Sequence, residues 1–354
     1  MTFDLERLVR KNIRNLKAYS SARSEFAGAA EVFLDANENA FGSPAGDGYN
    51  RYPDPLQTEL KQRVAEIKGV DTSQIFVGNG SDEAIDLLFR IFCEPGRDNV
   101  IICPPTYGMY RVSADINDTA VREMRLTNEF QLDGPAIISA LTEQTKLIFI
   151  CSPNNPTGNL MRRESVIDIA SGFGGIVVVD EAYIDFAAES SMIAELRRMP
   201  NLIVMQTFSK AWGMAGLRVG MAFAGAEIID LMNRVKPPYN VSSIAQSAVI
   251  DALNDRGSVE QWIETALQQR AMLAESLGRF DCVETIHPSD ANFVLVKMAD
   301  ANAVYSSLLG ERVVVRNRSN VELCEGCLRV TVGTAEENER LIDALMKYGM
   351  RRNS

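Results

Sequence analysis

The stretch IVVVDEAY, residues 176–183, decides the fold class of this 354-residue chain. Its first four residues are apolar and β-branched, so both faces of the strand that they predict are expected to be buried. Asp180 follows at once, where the strand would leave the sheet. A carboxylate in that position is costly to bury unless it has a partner. The stretch therefore predicts a central strand that ends in a functional group.

Five more apolar strands are predicted on the two sides of this one. The segments between them are long enough for helices and are amphipathic, as in SDEAIDLLFRIFCEPG at 81–96. This alternation predicts an α/β fold in which a mainly parallel sheet is sandwiched by helices. The predicted strands are QIFVGNG (74–80), NVIICPP (99–105), LIFICSP (147–153), LIVMQTFS (202–209) and RVGMAFA (218–224).

The pattern changes after KPPYNVSS at 236–243. Two predicted helices are followed by the strands NFVLVKM (292–298), ERVVVRN (311–317) and CLRVTVG (327–333), and by a final helix. We therefore expect a large domain over residues 31–250 and a smaller α+β domain formed by residues 1–30 and 251–354.

Composition excludes several classes of function. A net charge of −11 without a basic run argues against a nucleic-acid partner. The N-terminus lacks the apolar core of a signal peptide, and no apolar run reaches the roughly 18 residues of a membrane helix. Six scattered cysteines are typical of reduced thiols in the cytoplasm. A single histidine, His287, excludes a histidine-rich metal site, and we expect no metal.

Four of the predicted strands end in polar groups, which should meet at one edge of a parallel sheet. Ser81, Asp82 and Glu83 would open a helix whose backbone N–H groups can bind an anion, although an ordinary capped helix is an alternative interpretation. The four strand ends are NGSDE (79–83), SPNNPTG (152–158), DEAY (180–183) and FSK (208–210).

The stretch TFSKAWGMAGLRVG, residues 207–220, contains two cations and no acidic residue. Confinement near another cation should depress the pKa of Lys210, which makes its amine a nucleophile able to form a Schiff base. An anion-binding helix end, a buried carboxylate, an amide, a phenol, this lysine and Arg218 together match the needs of pyridoxal 5′-phosphate.

The order of these motifs resembles that of the fold-type I pyridoxal-phosphate aminotransferases of class I/II. The resemblance covers about residues 10–345 and is carried by NPTG (155–158), DEAY and SKAWGMAGLR (209–218). Further motifs are similar to those of the histidinol-phosphate aminotransferases: RYPDP (51–55), VGNGSDE (77–83), PPTYGMY (104–110), CSPNNPTG (151–158) and CLRVTVG.

The resemblance implies roles around the cofactor. Lys210 would carry it covalently and move protons, and Asp180 would pair with the ring nitrogen. Asn155 and Tyr183 would hold the ring oxygen. Tyr107 would stack on the ring, and Tyr52 would reach the phosphate from the partner in a homodimer with shared active sites. The other implied phosphate ligands are Ser81, Asp82, Glu83, Ser209 and Arg218.

The resemblance also implies transamination between L-histidinol phosphate and 2-oxoglutarate, which gives imidazole acetol phosphate and L-glutamate in histidine biosynthesis. Both substrates bring an anion of the kind that an arginine fork binds. The implied substrate residues are Tyr19, Arg316, Arg329, Tyr110 and Tyr239. Arg318 is an alternative to Arg316, and simple packing is an alternative for Tyr110 and Tyr239. An L-threonine-O-3-phosphate decarboxylase-like enzyme and an aromatic amino-acid aminotransferase are the alternative functions.

Overall fold

A computed structural model of the chain describes residues 3–19 and 32–352. Its larger sheet has seven strands in the order β1-β7-β6-β5-β4-β2-β3. Strands β2 to β6 are parallel to one another, whereas β7 is antiparallel to both β1 and β6. The strands are β1 (Ile75–Asn79), β2 (Asn99–Ile102), β3 (Ala120–Glu123), β4 (Thr145–Cys151), β5 (Ile176–Asp180), β6 (Leu202–Thr207) and β7 (Val219–Phe223). The predicted α/β class and its mainly parallel sheet are confirmed.

Helices cover both faces of this sheet. Val177 and Val179 of β5 belong to one apolar core cluster, whereas Ile176 and Val178 belong to a second one on the opposite face. The flanking helices are α3 (Thr58–Lys68), α4 (Ser81–Phe92), α5 (Met109–Ile116), α6 (Gly134–Ser139), α7 (Arg163–Gly172), α8 (Ala226–Val235) and α9 (Ser243–Leu253). Burial of both faces explains why the strand sequences are continuously apolar.

The N-terminal segment does not pack where its assignment to the small domain placed it. Helices α1 (Leu5–Leu8) and α2 (Lys11–Arg14) lie on the larger sheet's side of the molecule. Val9 and Ile13 belong to the core cluster that contains Phe92 of α4, and the Arg10 N–H donates to the Ile91 carbonyl at 2.9 Å. The apolar residues of so short a segment carry no signal for which of two cores will receive them.

The smaller sheet has four antiparallel strands in the order β10-β11-β9-β8. They are β8 (Val283–Ile286), β9 (Phe293–Met298), β10 (Arg316–Asn317) and β11 (Cys327–Thr331), and helices α10 (Arg256–Leu277), α11 (Ala301–Gly310) and α12 (Ala335–Arg352) accompany them. Strand β10 is shorter than the predicted ERVVVRN. Helix α9 crosses residue 250 and contributes Leu253 to the core beside the large sheet. The predicted boundary itself stays a prediction.

Gly220 in β7 marks the closest approach between the larger sheet and the start of α4. A Cβ atom at this position would lie 2.2 Å from the Ser81 nitrogen and 2.5 Å from the Gly80 carbonyl carbon. Both neighbours are backbone atoms and cannot rotate away. The absence of a side chain therefore allows the N-terminus of α4 to sit directly against β7.

We expect Gly220→Ala to destabilise the protein by about 2–3 kcal/mol, because overpacking against backbone forces the strand and helix apart. Urea unfolding measures the difference. Gly225→Ala is the control, since a Cβ there meets nothing within 4 Å, and it should cost at most about 1 kcal/mol, the loss expected when alanine replaces glycine at the N-cap of α8. If the two variants lost the same free energy of unfolding, the close approach of Gly220 to the backbone of Gly80 and Ser81 would be contradicted.

Candidate active site

The carboxyl ends of β1, β4, β5 and β6 open on one cavity of about 700 Å³. The small domain completes its wall. The cavity brings together most of the residues predicted from the sequence: Ser81, Asp82, Tyr107, Asn155, Asp180, Tyr183, Ser209, Lys210, Arg218, Arg316 and Arg329, together with Arg318. The convergence of strand ends that the parallel sheet predicted is therefore present in the structure.

Asp180 is a buried carboxylate at the cavity floor. It accepts hydrogen bonds from the Tyr110 hydroxyl at 2.7 Å and from the Ala182 N–H at 3.1 Å. Burial raises its pKa from 3.8 to about 6, and the hydrogen bond from Tyr110 and the charge of Lys210 only partly offset that effect. Among the described residues no cation lies within 4.0 Å of it. Its charge is thus stabilised in part and left open toward the cavity.

Tyr110 lies behind Asp180. It is fully buried, stacks on Phe149 at a centroid distance of 4.9 Å, and does not line the cavity. The structure therefore places Tyr110 behind Asp180 and not in the cavity wall, and its role toward a substrate stays a prediction. The sequence could not indicate this, because helix α5 turns the side chain toward the strand ends rather than toward the cavity.

Lys210 extends from the end of β6 into the open cavity and keeps solvent contact. Its ammonium lies 5.5 Å from the centre of the Tyr183 ring. The surrounding protein still lowers its pKa, first through burial of the charged form and then through Arg329 and Arg218, while Asp180 opposes the shift. The predicted depression of this pKa agrees in direction, and it enlarges the fraction of nucleophilic amine.

The N-terminus of α4 faces the same space. Gly80, not Ser81, is the N-cap, and no side chain caps the first turn. Arg218 lies beside it, donating to the Ser209 hydroxyl at 3.4 Å and approaching Asp82 at 3.5 Å. These contacts are long, so the guanidinium and the helix end retain capacity for an anion.

Asn155 connects the floor of the cavity to the small sheet. Its Oδ1 accepts a hydrogen bond from Arg329 Nη1 at 2.6 Å, while its amide nitrogen makes no hydrogen bond within the part of the chain that is described. Since Asn155 lines the cavity, that nitrogen is an available donor.

Three arginines form one side of the cavity. Arg316 and Arg329 are paired across β10 and β11, and the Arg318 N–H donates to the Cys327 carbonyl. Burial and then the neighbouring guanidinium of Arg329 lower the pKa of Arg318. The Nε atoms of Arg318 and Arg329 are buried without a hydrogen-bond partner. In residues 3–19 and 32–352 none of the three arginines has a carboxylate within 4.0 Å. Such crowding of like charges indicates a site for an anionic ligand.

Besides Tyr110, four predicted site residues lie outside this cavity. The Glu83 carboxylate turns away and accepts from Asn240 Nδ2 at 2.9 Å. Tyr52 and Tyr239 stack at 4.5 Å in a second depression of about 900 Å³, which Arg218 also lines. Tyr19 is exposed at the end of the first described segment. Their proposed roles stay predictions.

Thr106 is a cavity residue that the sequence analysis missed. Its hydroxyl is buried and makes no hydrogen bond among the described residues. It precedes Tyr107, whose hydroxyl donates to Asp82 at 3.1 Å. Its position within PPTYGMY, beside a residue already singled out, is the only signal that could have found it.

The sequence model of the aminotransferase class I and II family matches residues 22–345. The chain belongs to this family. A relative from Parabacteroides distasonis named histidinol-phosphate aminotransferase is 53% identical over 342 residues, which cover 97% of this chain and 98% of the relative. One from Cytophaga hutchinsonii with the same name is 51% identical and covers 98% of this chain and all of the relative. The resemblance to class I/II aminotransferases is confirmed.

Solved structures agree on the fold of this class I/II aminotransferase. A histidinol-phosphate aminotransferase from Clostridium acetobutylicum has a TM-score of 0.79 at 24% identity, covering 86% of this chain and 92% of that one. One from Sinorhizobium meliloti, in complex with pyridoxal-5′-phosphate, has a TM-score of 0.78 at 24% identity and covers 90% of each chain. Within residues 3–19 and 32–352, no helix is both long and apolar enough to cross a membrane.

The raised pKa of Asp180 leads to a prediction about stability. The folded chain binds this proton more tightly than the unfolded chain, so the charged form costs stability that grows as pH rises toward the folded pKa of about 6. The difference in unfolding free energy between ligand-free Asp180→Asn and the original protein should therefore shift by about 1–2 kcal/mol in favour of the variant between about pH 5 and pH 8. Urea unfolding of both proteins at the two pH values measures this. A difference that stays constant with pH would contradict the raised pKa.

Proposed function

We propose that this aminotransferase uses pyridoxal 5′-phosphate to transfer an amino group between L-histidinol phosphate and 2-oxoglutarate, forming imidazole acetol phosphate and L-glutamate. The observation that carries the proposal is the cavity itself, which combines a buried carboxylate, a lysine and three arginines that have no carboxylate partner among the described residues. The names of the relatives at 51–53% identity support the substrate pair.

The residues present fit the cofactor. Asp180 is a buried carboxylate without an ion-pair partner among the described residues, as a protonated ring nitrogen requires. The uncapped first turn of α4, with Ser209 and Arg218, suits a phosphate group. The unsatisfied Thr106 hydroxyl offers a further donor. When bound, the cofactor supplies an electron sink for the substrate carbon that loses its proton.

The residues of the chain divide the remaining work. Lys210 would hold the cofactor and move a proton at its Nζ. Asp180 would keep a positive charge at the ring nitrogen, and the free amide of Asn155 and the Tyr183 hydroxyl would hold the ring oxygen. Tyr183 retains a protonated hydroxyl because burial raises its pKa. Tyr107 would cover the ring.

The wall of three arginines supports a substrate with more than one negative charge. A phosphate ester and a dicarboxylate both satisfy this condition, so one wall would serve the two substrates in turn. Arg329 is the central member, because it faces both Asn155 and Arg316. Arg316 and Arg318 both reach the cavity, so the geometry favours their joint use over a choice between them.

A homodimer with shared active sites is part of the proposal. The depression beside Arg218 is open and lined by the stacked Tyr52 and Tyr239, and Tyr52 is 51% exposed. A second copy seated there would bring Tyr52 toward the partner's phosphate site, as the resemblance implies. The predicted cytoplasmic location likewise stays a prediction.

The first test is a spectrum of the purified protein mixed with L-histidinol phosphate alone. Conversion of the bound cofactor to its amine form, reversed by 2-oxoglutarate, is the expected result.

Lys210→Ala should lose about 10⁴-fold or more in turnover, since both attachment and proton transfer depend on this amine. Lys146→Ala, outside the cavity, should behave like the original protein. Release of CO₂ from L-threonine O-3-phosphate without conversion would instead assign the decarboxylase. Conversion of the bound cofactor by aromatic amino acids, but not by L-histidinol phosphate, would instead indicate an aromatic amino-acid aminotransferase.

Arg329→Ala should weaken both half-reactions, by roughly 10²-fold in kcat/KM, because each substrate brings an anion to the same guanidinium. Arg122→Ala, on the exposed edge strand, is the matched control. Single-turnover rates with each substrate separate the two half-reactions. A defect limited to 2-oxoglutarate would show that the phosphate ester binds elsewhere.

A further inference from the structure

The turn that carries Asn155 spans residues 154–160 and is stiff in itself. The Gly158 N–H donates to the Asn154 carbonyl at 2.8 Å. The Asn154 side chain donates to Thr157 Oγ1 at 2.7 Å and to the Pro105 carbonyl at 2.8 Å. A shift at one end of this turn is therefore transmitted to Asn155.

Asp290 makes two hydrogen bonds to the other end of the turn. Its N–H donates to the Gly158 carbonyl at 2.7 Å, and its carboxylate accepts from the Leu160 N–H at 2.8 Å. The approach is close, since a Cβ on Gly158, whose φ is +88°, would lie 2.6 Å from Ser289 Oγ. Glycine is required here for both the conformation and the contact.

Asp290 belongs to the small domain. Arg270 of α10 donates to the carbonyl of the buried Ala291 at 2.7 Å, and the His287 N–H donates to Leu295 of β9 at 2.9 Å. Residues 287–291 thus form the anchored entry to β9. Leu295 of β9 is in turn paired with Arg329 of β11.

The small sheet therefore holds the turn at two points. Asp290 binds it at Gly158 and Leu160, and Arg329 binds it at Asn155 Oδ1. With Oδ1 engaged, the amide nitrogen is the end of Asn155 that is free to donate into the cavity. The direction of this amide depends on the contact with Arg329, which lies in the cavity, and on the contact with Asp290, which lies outside it.

We propose that Asp290 is a positioning residue, which sets the direction of the Asn155 amide from outside the cavity. The inference rests on the proposed function, because the amide is taken to donate to the ring oxygen of bound pyridoxal phosphate. A donor at that oxygen stabilises its negative charge and lowers the pKa at which the bound chromophore titrates.

The test uses the cofactor-loaded protein and three variants. Asp290→Ala removes the acceptor for Leu160. Asp290→Asn keeps an acceptor oxygen and the backbone donor. Asp300→Ala is the matched control, because the Asp300 carboxylate likewise accepts a backbone N–H, that of Ala303 at 2.9 Å, but at the start of α11. The measurements are the pH midpoint of the visible absorption of the bound cofactor, the Kd of the cofactor, and thermal stability.

Asp290→Ala should raise the pH midpoint by about 0.5–1 pH unit, as expected for a weakened hydrogen bond, and should weaken cofactor binding several-fold. Asp290→Asn should restore both values, and Asp300→Ala should change stability only. The charged groups that face the ring site are unchanged in all variants, so a shift reports on Asn155. These groups are Asp82, Asp180, Lys210, Arg218, Arg316, Arg318 and Arg329.

Two outcomes would overturn the proposal. A midpoint in Asp290→Ala equal to that of the original protein, with lower stability alone, would make Asp290 a structural anchor only. An Asp290→Asn variant as impaired as Asp290→Ala would rule out the role of the accepting oxygen. If the original protein binds no pyridoxal phosphate, the proposed function fails instead, which the spectrum of that protein shows separately.

Discussion

The burial of Asp180 at the end of β5 is the constraint on which the rest of the site depends. An apolar central strand, enclosed on both faces, delivers a carboxylate into a region with little water. Two hydrogen bonds are too few to return its pKa to the ordinary value, so the charge is held at a cost in stability. That cost is useful if the carboxylate must meet a positively charged partner, because the interaction then takes place where solvent screens it least. Tyr110 contributes by holding the carboxylate in one orientation from behind.

The opposite side of the cavity is lined by cations. Lys210, Arg218 and the three arginines of the small domain face one space, and burial and mutual repulsion lower the pKa of Lys210 and Arg329. The domains therefore meet through a cavity rich in cations, whose charge an anionic ligand would offset. The large sheet and the small domain supply residues to the site from opposite sides. The contacts of the Asn155 turn with both sheets are part of the same arrangement.

Six of the seven strands of the large sheet were predictable, because each is buried on both faces and therefore has a continuous apolar sequence. The exposed edge strand β3 and the short strand β8 have no such run and were not predicted from the sequence. The apolar residues 313–315 suggested a longer strand, whereas β10 comprises only Arg316–Asn317. The sequence did not show which core the N-terminal helices join for a related reason. Amphipathic residues indicate that a surface is covered, but they do not indicate which element covers it. The position of Tyr110 could not be predicted either, because a tyrosine near a cavity has the same sequence signal whether it lines the wall or supports a residue that does.

The sequence by itself determined the α/β class, the identity of most cavity residues and the chemistry available to them, since strand ends of a parallel sheet must converge. Only the tertiary structure decided which partners those residues have. The pairing of Tyr110 with Asp180, of Arg329 with Asn155 and of Asp290 with the Gly158 turn joins residues 70, 174 and about 130 positions apart in the chain. No local pattern encodes such contacts, because they arise from the way helices, turns and sheets pack in three dimensions and not from the preferences of neighbouring residues.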